Sequence, residues 1–201
     1  MGKKILILGC HRGGTTLTAS LIGRHSLVTM LNEVCDKEAI SSGIGKPYIG
    51  FKIPYPTIHL TKRRSRWHGF IFHKTGGLRN FIHSVTGWHI QMWRGSYYSI
   101  NDFEDMGAYI IVVTRKREDF ISSCLNRTHL GEKQAKRIHD RFMDILPQIP
   151  NKCTVSMEGL TTNTEAELVR ICKYIGLEYE SQMLEGYKYN RYGHTRISPK
   201  N

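Results

Sequence analysis

Residues 5–24, I-L-I-L-G-C-H-R-G-G-T-T-L-T-A-S-L-I-G-R, decide how the chain is read. The apolar run from Ile5 to Leu8 stops at Gly9, crosses a Gly-rich turn and restarts at Thr15 as a helical pattern with Leu17, Leu21 and Ile22 on one side. The order is strand, loop, helix. Gly13 and Gly14 carry no side chain to hold a ligand away, so backbone N–H groups can converge on an anion at the positive end of the helix. Thr15 and Thr16 bring hydroxyls to the first turn, and Arg12 brings a guanidinium that grips phosphate oxygens in pairs. Such a loop suits a phosphate.

Gly9, Gly14 and Thr16 occupy the positions of the nucleotide-binding loop G-x-x-x-x-G-K-[ST], but Thr15 stands where the lysine belongs. In ATP and GTP enzymes that lysine reaches the outer phosphates and the next hydroxyl holds magnesium. Here the cation lies inside the loop, as Arg12. A [KR]-x-G-T-T loop after a first strand resembles the 5′-phosphosulfate loop of sulfotransferases that use 3′-phosphoadenosine 5′-phosphosulfate (PAPS). A Gly-rich turn joining a strand to a helix is the plain alternative for one short motif, so the rest of the chain must decide.

At 201 residues the length suits one α/β domain with a substantial core. A net charge of +12 and a pI near 9.6 call for an anionic ligand. Between Ala39 and Asn101 there is no Asp or Glu, while Lys46, Lys52, Lys62, Arg63, Arg64, Arg66, Lys74, Arg79 and Arg94 all fall there. A solvated face normally mixes both signs, so an acidic partner is expected. Five cysteines, with no C-x-x-C pair, read as reduced thiols, and Cys10 at the loop entrance reads as a buried filler. No apolar run approaches a membrane span and the first strand follows Met1 at once, so a cytoplasmic enzyme without signal peptide or anchor is expected.

A short second strand is read at Leu27 to Leu31, leading into L-N-E-V-C-D. A carboxylate beside an anion site is costly unless paired or used for proton transfer, although a surface Glu capping the next turn fits the sequence equally well. The resemblance to carbohydrate sulfotransferases implies that Glu33 is the base that deprotonates the acceptor, with Asp36 ranked second. A third strand is read from Tyr48 to Ile53, ended by Pro54 and Pro56 because proline cannot donate within a central strand. Lys52, in K-x-P, resembles the lysine of glycan sulfotransferases that faces the transferred group; a lysine merely exposed beside a turn is the alternative.

From Thr57 to Ser99 periodicity is poor, and Trp67, Trp88, Trp93, Tyr97 and Tyr98 stand among basic residues. This composition suits stacked sugars bearing anionic groups, single-stranded nucleic acid, or an ordinary amphipathic subdomain. Residues 57–99 are read as an acceptor-binding insertion or lid. The histidines there have no zinc-site spacing, and no metal is expected.

Tyr109 to Thr114 reads as a strand buried on both faces, followed by Arg115 and a helix with acidic residues in its first turn. Kinases and nucleotide hydrolases often place an Asp at such a strand end for magnesium. Arg115, Asp119 and Ser123 resemble the sulfotransferase motif R-x-P-x-D-x-x-x-S, which implies that Arg115 and Ser123 hold the 3′-phosphate. Each charged hydrogen bond of that kind contributes about 1.5 to 3 kcal/mol. Lys116 and Arg117 replace the residue and proline that usually follow the arginine. Glu132 to Leu146 reads as an amphipathic helix ended by Pro147, and Cys153 to Met157 as a strand. A capped helix follows, with a Thr164/Glu167 capping box and Gly176 as its stop. That passage resembles the C-terminal signature of the same family. In the basic, aromatic tail, Arg191 or Arg196 closing over a nucleotide and a disordered tail are equally compatible readings.

The expected fold is therefore a single α/β domain with a central parallel sheet flanked by helices, of the P-loop-like sulfotransferase kind. The resemblance implies sulfuryl transfer from PAPS to a hydroxyl or amine, with a carbohydrate, acidic glycan or small alcohol as acceptor. Arg12, Gly13, Gly14, Thr15 and Thr16 would bind the 5′-phosphosulfate, Arg115 and Ser123 the 3′-phosphate, and Glu33, Arg12 and Lys52 would carry the chemistry without a metal. The rivals are a P-loop kinase, disfavoured by the missing lysine, and a basic nucleic-acid-binding module, which leaves the phosphate loop unexplained.

Overall fold

A computed structural model of the chain describes residues 2–32, 46–55, 99–128 and 130–188. Five strands, β1 (Lys3–Cys10), β2 (Val28–Asn32), β3 (Tyr48–Tyr55), β4 (Tyr109–Thr114) and β5 (Lys152–Ser156), form one sheet in the order β2-β3-β1-β4-β5. Every pairing is parallel. From β1 the chain goes to the edge strand β2, returns to place β3 beside β1, then crosses to the other side for β4 and β5. The strand ends on either side of β1 therefore border the crevice where such sheets bind ligands.

Among the described residues six helices accompany the sheet: α1 (Thr15–Ile22), α2 (Ile100–Asp105), α3 (Arg117–Arg127), α4 (Glu132–Ile145), α5 (Met157–Thr162) and α6 (Thr164–Ile175). Two 3₁₀ segments, Leu146–Gln148 and Ser181–Lys188, complete the described elements. Because side chains alternate across a strand, β1 serves two cores at once. Leu6, Leu8 and Cys10 join Phe51, Phe103, Phe120 and Phe142 on the face covered by α2, α3 and α4. Ile5 and Ile7 join Leu21, Ile22, Leu168 and Ile171 on the face covered by α1 and α6. Each large side chain so buried stabilises the fold by about 1.5–3 kcal/mol. No described helix is long and apolar enough to cross a membrane.

Two expectations are corrected. Strand β3 does not stop before Pro54 but runs through it to Tyr55, opposite Gly9 and Cys10. The Tyr55 carbonyl accepts from His11 N–H at 3.3 Å, on the β1 side, so Pro54 faces the β2 side, where described pairing ends at Lys52. The missing proline N–H therefore breaks no ladder bond there. The Thr164/Glu167 capping box is also absent. Asn163 caps α6, the Thr164 hydroxyl donates to the Leu160 carbonyl at 2.8 Å, and Glu167 pairs with Arg170. A capping box does form at the start of α2, where Ser99 and Asp102 satisfy each other's backbone N–H groups. Gly176 ends α6 at φ 76, as read.

The segment Ser181–Lys188 closes over α1 through Gly186. A Cβ on Gly186 would lie 2.6 Å from the backbone N and Cα of Leu21. Gly186→Ala is therefore expected to destabilise the chain by about 1–3 kcal/mol, read as a lower denaturation midpoint; an unchanged midpoint would contradict this packing. Just before that segment, Glu180 accepts the Ser26 backbone N–H at 2.8 Å, and also the Ser26 hydroxyl and Gln182. These bonds, led by the Ser26 hydroxyl, hold the carboxyl down at about 2. A depressed carboxylate stabilises above its unfolded value of about 4.3 and loses that contribution as pH falls toward the folded value. Glu180→Gln should flatten the loss of stability between roughly pH 4.5 and 2. An acid unfolding curve superimposable on that of the parent chain would argue against this contribution.

Candidate functional site

The site is assembled at the C-terminal ends of β1, β3 and β4. After Cys10 the backbone turns sharply, with Gly13 N–H donating to the Cys10 carbonyl at 2.9 Å. A Cβ on Gly13 would sit 2.8 Å from that carbonyl oxygen, so the turn has no room for a side chain. Gly14 caps α1 at φ 102, with Met157 of α5 packed against it. Its carbonyl accepts both the backbone N–H of Thr18, at 3.0 Å, and the Thr18 hydroxyl, at 3.1 Å. Among the described residues no side chain caps the helix, and no acidic residue lies in its first turn. The leading N–H groups of α1 thus present positive potential at the loop.

The structure brings three cations to this loop. Arg12 lies within it, half-buried, at φ 68. Lys52 reaches it from β3; it is 4 % exposed and its Nζ donates to Thr16 Oγ1 at 3.3 Å. Arg115 reaches it from the end of β4 and donates through Nη1 to the Arg12 carbonyl at 2.8 Å. Thr15 is buried, its methyl packed against Gly9, and Thr16 is the hydroxyl that meets Lys52. Behind the loop, a cavity of about 10 Å³ lies among Cys10, Gly13, Arg115, Phe120 and His139. Burial raises the Cys10 thiol well above its ordinary value, which makes it a filler and not a nucleophile. Burial also raises Cys124, on α3, although Arg12 and Arg115 oppose that shift.

Ser123 is half-buried and makes no hydrogen bond to Arg115. Glu33 follows Asn32 at the end of β2 and lies outside the described residues, as do Asp36, Arg191 and Arg196, and residues 57–98. Two supporting groups were not singled out from the sequence. His139, on α4, sits against Phe120 with ring centroids 5.5 Å apart, and its Nε2 is 3.3 Å from the Arg115 carbonyl. The signal was available, because His139 is a polar residue flanking the inward stripe of Ala135, Ile138 and Phe142. Glu158 accepts the Lys116 N–H at 3.0 Å and so ties the start of α3 to α5. The ion pair of Arg117 and Asp140, at 2.8 Å, fastens α3 to α4 at the surface.

A five-stranded parallel sheet flanked by helices, with a glycine loop opening α1, Thr15 at the P-loop lysine position and Arg115 at the end of β4, places the chain among the parallel-sheet α/β proteins. No family model and no curated protein sequence matches the chain. Among solved structures, it is similar to mouse sulfotransferase SULT7A1 complexed with PAP, at 11 % identity over 92 % of this chain and a TM-score of 0.52. It spans 62 % of the length of that protein. The sulfotransferase domain of the Synechococcus PCC 7002 olefin synthase is similar at 13 % identity, over 92 % of this chain and 78 % of that one, with a TM-score of 0.50. The chain has the fold of these sulfotransferases.

Proposed function

We propose that the protein transfers a sulfuryl group from PAPS to a hydroxyl or amine acceptor, with a carbohydrate hydroxyl as the acceptor of choice. The observation that carries this reading is the convergence of Arg12, Lys52 and Arg115 on one glycine loop whose P-loop lysine position is Thr15. A turn too tight for a Cβ, an uncapped helix start and two strand-end cations fit a donor with a 5′-phosphosulfate and a second phosphate on the ribose. When bound, PAPS supplies an activated sulfuryl group and a stable bisphosphate leaving group.

The chain's own residues have distinct tasks in this reading. The N–H groups of Gly13 and Gly14, with Thr15 and Thr16, hold the 5′-phosphosulfate, and Arg115 and Ser123 hold the 3′-phosphate. Glu33 takes the acceptor proton, which raises the nucleophilicity of the acceptor oxygen as its bond to sulfur forms. Arg12 and Lys52 stabilise charge on the transferred group and on the bridging oxygen as the bond to it breaks. Cations already fixed in a buried setting need no reorganisation at that moment. Residues 57–99, basic and aromatic, contribute acceptor contacts in this proposal, on the basis of their composition.

The test is transfer of a radiolabelled sulfuryl group from PAPS into a panel of oligosaccharides and small alcohols, with EDTA present throughout. Label should appear in a carbohydrate product with the parent chain, and Glu33→Gln should lower the rate by about 10²- to 10⁴-fold. Phosphate transfer from magnesium ATP, with none from PAPS, would replace this reading with a kinase.

A further inference from the structure

Arg115 joins two sites that the donor reading treats separately. Its Nη1 is committed to the Arg12 carbonyl at 2.8 Å. Its Nε is buried with no hydrogen-bond partner among the described residues. That leaves Nη2 as the terminal donor for an anion arriving from the 3′ side. The group it braces is unusual, because Arg12 holds a left-handed φ of 68 that a residue with a Cβ rarely keeps without support. Behind Arg115, His139 Nε2 lies 3.3 Å from the Arg115 carbonyl and steadies the backbone from which the side chain leaves.

We propose that Arg115 couples the two phosphate subsites, and so acts as a positioning residue for the 5′ site besides a contact of the 3′-phosphate. The guanidinium is planar and rigid, so an anion that fixes Nη2 also fixes the direction of Nη1. The 3′-phosphate thereby holds the Arg12 carbonyl and the glycine loop in the form that receives the 5′ group. By linkage, a filled 5′ loop presents Nη2 to the 3′-phosphate equally well. A lysine at this position supplies the charge but cannot hold the loop and the anion with one rigid group. The proposal rests on the donor reading above.

The experiment is calorimetric titration of the full chain with adenosine 3′,5′-bisphosphate and with 5′-AMP, for the parent, Ser123→Ala, Arg115→Gln and Arg115→Lys. Melting temperatures are recorded alongside. Ser123→Ala should weaken the bisphosphate by about 10-fold and leave 5′-AMP unchanged, since that hydroxyl serves only the 3′-phosphate. Arg115→Gln should weaken the bisphosphate at least about 100-fold and also weaken 5′-AMP by about 5- to 10-fold, although 5′-AMP has no 3′-phosphate. Arg115→Lys should keep a preference for the bisphosphate over 5′-AMP, yet show the same loss for 5′-AMP as the glutamine variant, at an unchanged melting temperature. A merely structural role would lower the melting temperature and both affinities together. If 5′-AMP binds both Arg115 variants as it binds the parent, the coupling is wrong and the donor reading stands. If the parent binds the bisphosphate no better than 5′-AMP, the donor reading fails, and the coupling with it.

Discussion

Lys52→Met is expected to lower turnover by about 10²- to 10³-fold while leaving the melting temperature unchanged or raised. The two effects part because exchanging a buried charge for an apolar side chain of similar volume is often neutral or stabilising, whereas the chemistry needs the charge. Lys52 is 4 % exposed on the α1 face of β3, with its Nζ donating to Thr16 in the first turn of that helix. Taking a cation out of water costs several kcal/mol, and the hydrogen bond to Thr16 is among the contacts that offset it. Methionine keeps the length and apolar volume of the stem, and the half-buried Thr16 hydroxyl can turn to solvent. What is lost is a cation already aimed at the loop before the reaction begins. A variant with normal turnover would remove Lys52 from the chemistry. A variant that melts well below the parent would make it structural.

Arg12 separates side chain from backbone. Arg12→Ala and Arg12→Gly both delete the loop cation, so each should abolish turnover, measured as sulfuryl transfer from PAPS. They should differ in stability. Alanine inherits the left-handed φ of 68, which costs an L-residue roughly 1–2 kcal/mol, whereas glycine adopts it freely. Glycine also loses more entropy on folding, so the expected net advantage of Arg12→Gly over Arg12→Ala is about 1 kcal/mol in denaturant unfolding. Activity in either variant would sink the assignment of Arg12. Equal stability would mean that the loop relaxes when the side chain goes. The second outcome would also weaken the case for Arg115 as a brace, because that bond ends on the Arg12 carbonyl.

The elements legible in the sequence were those whose patterns are local. The run Tyr109 to Thr114 is apolar throughout because β4 is covered on both faces, and its bounds were read as they stand. The loop and α1 were legible because glycine and threonine mark a tight anion turn in few other ways. Pro54 misled because its effect depends on which neighbour its missing N–H faces, and that is decided by where the pairing with β2 stops. Thr164 misled because a capping pattern does not reveal that the true cap lies one residue earlier, at Asn163. In the candidate site, the nearness of Lys52 to Thr16 could not be read locally, since they are 36 residues apart on different elements. The bond from Arg115 to the Arg12 backbone spans 103 residues and left no mark in either motif. Resemblance named these residues separately, and only the fold joins them.

The most direct measurement is calorimetric titration of the purified chain with adenosine 3′,5′-bisphosphate, against ATP and 5′-AMP, with EDTA throughout. The proposed donor site requires tight binding of the bisphosphate, with neither competitor bound comparably. No binding of the bisphosphate, together with ATP binding once magnesium is restored, would contradict it and return the loop to the kinases.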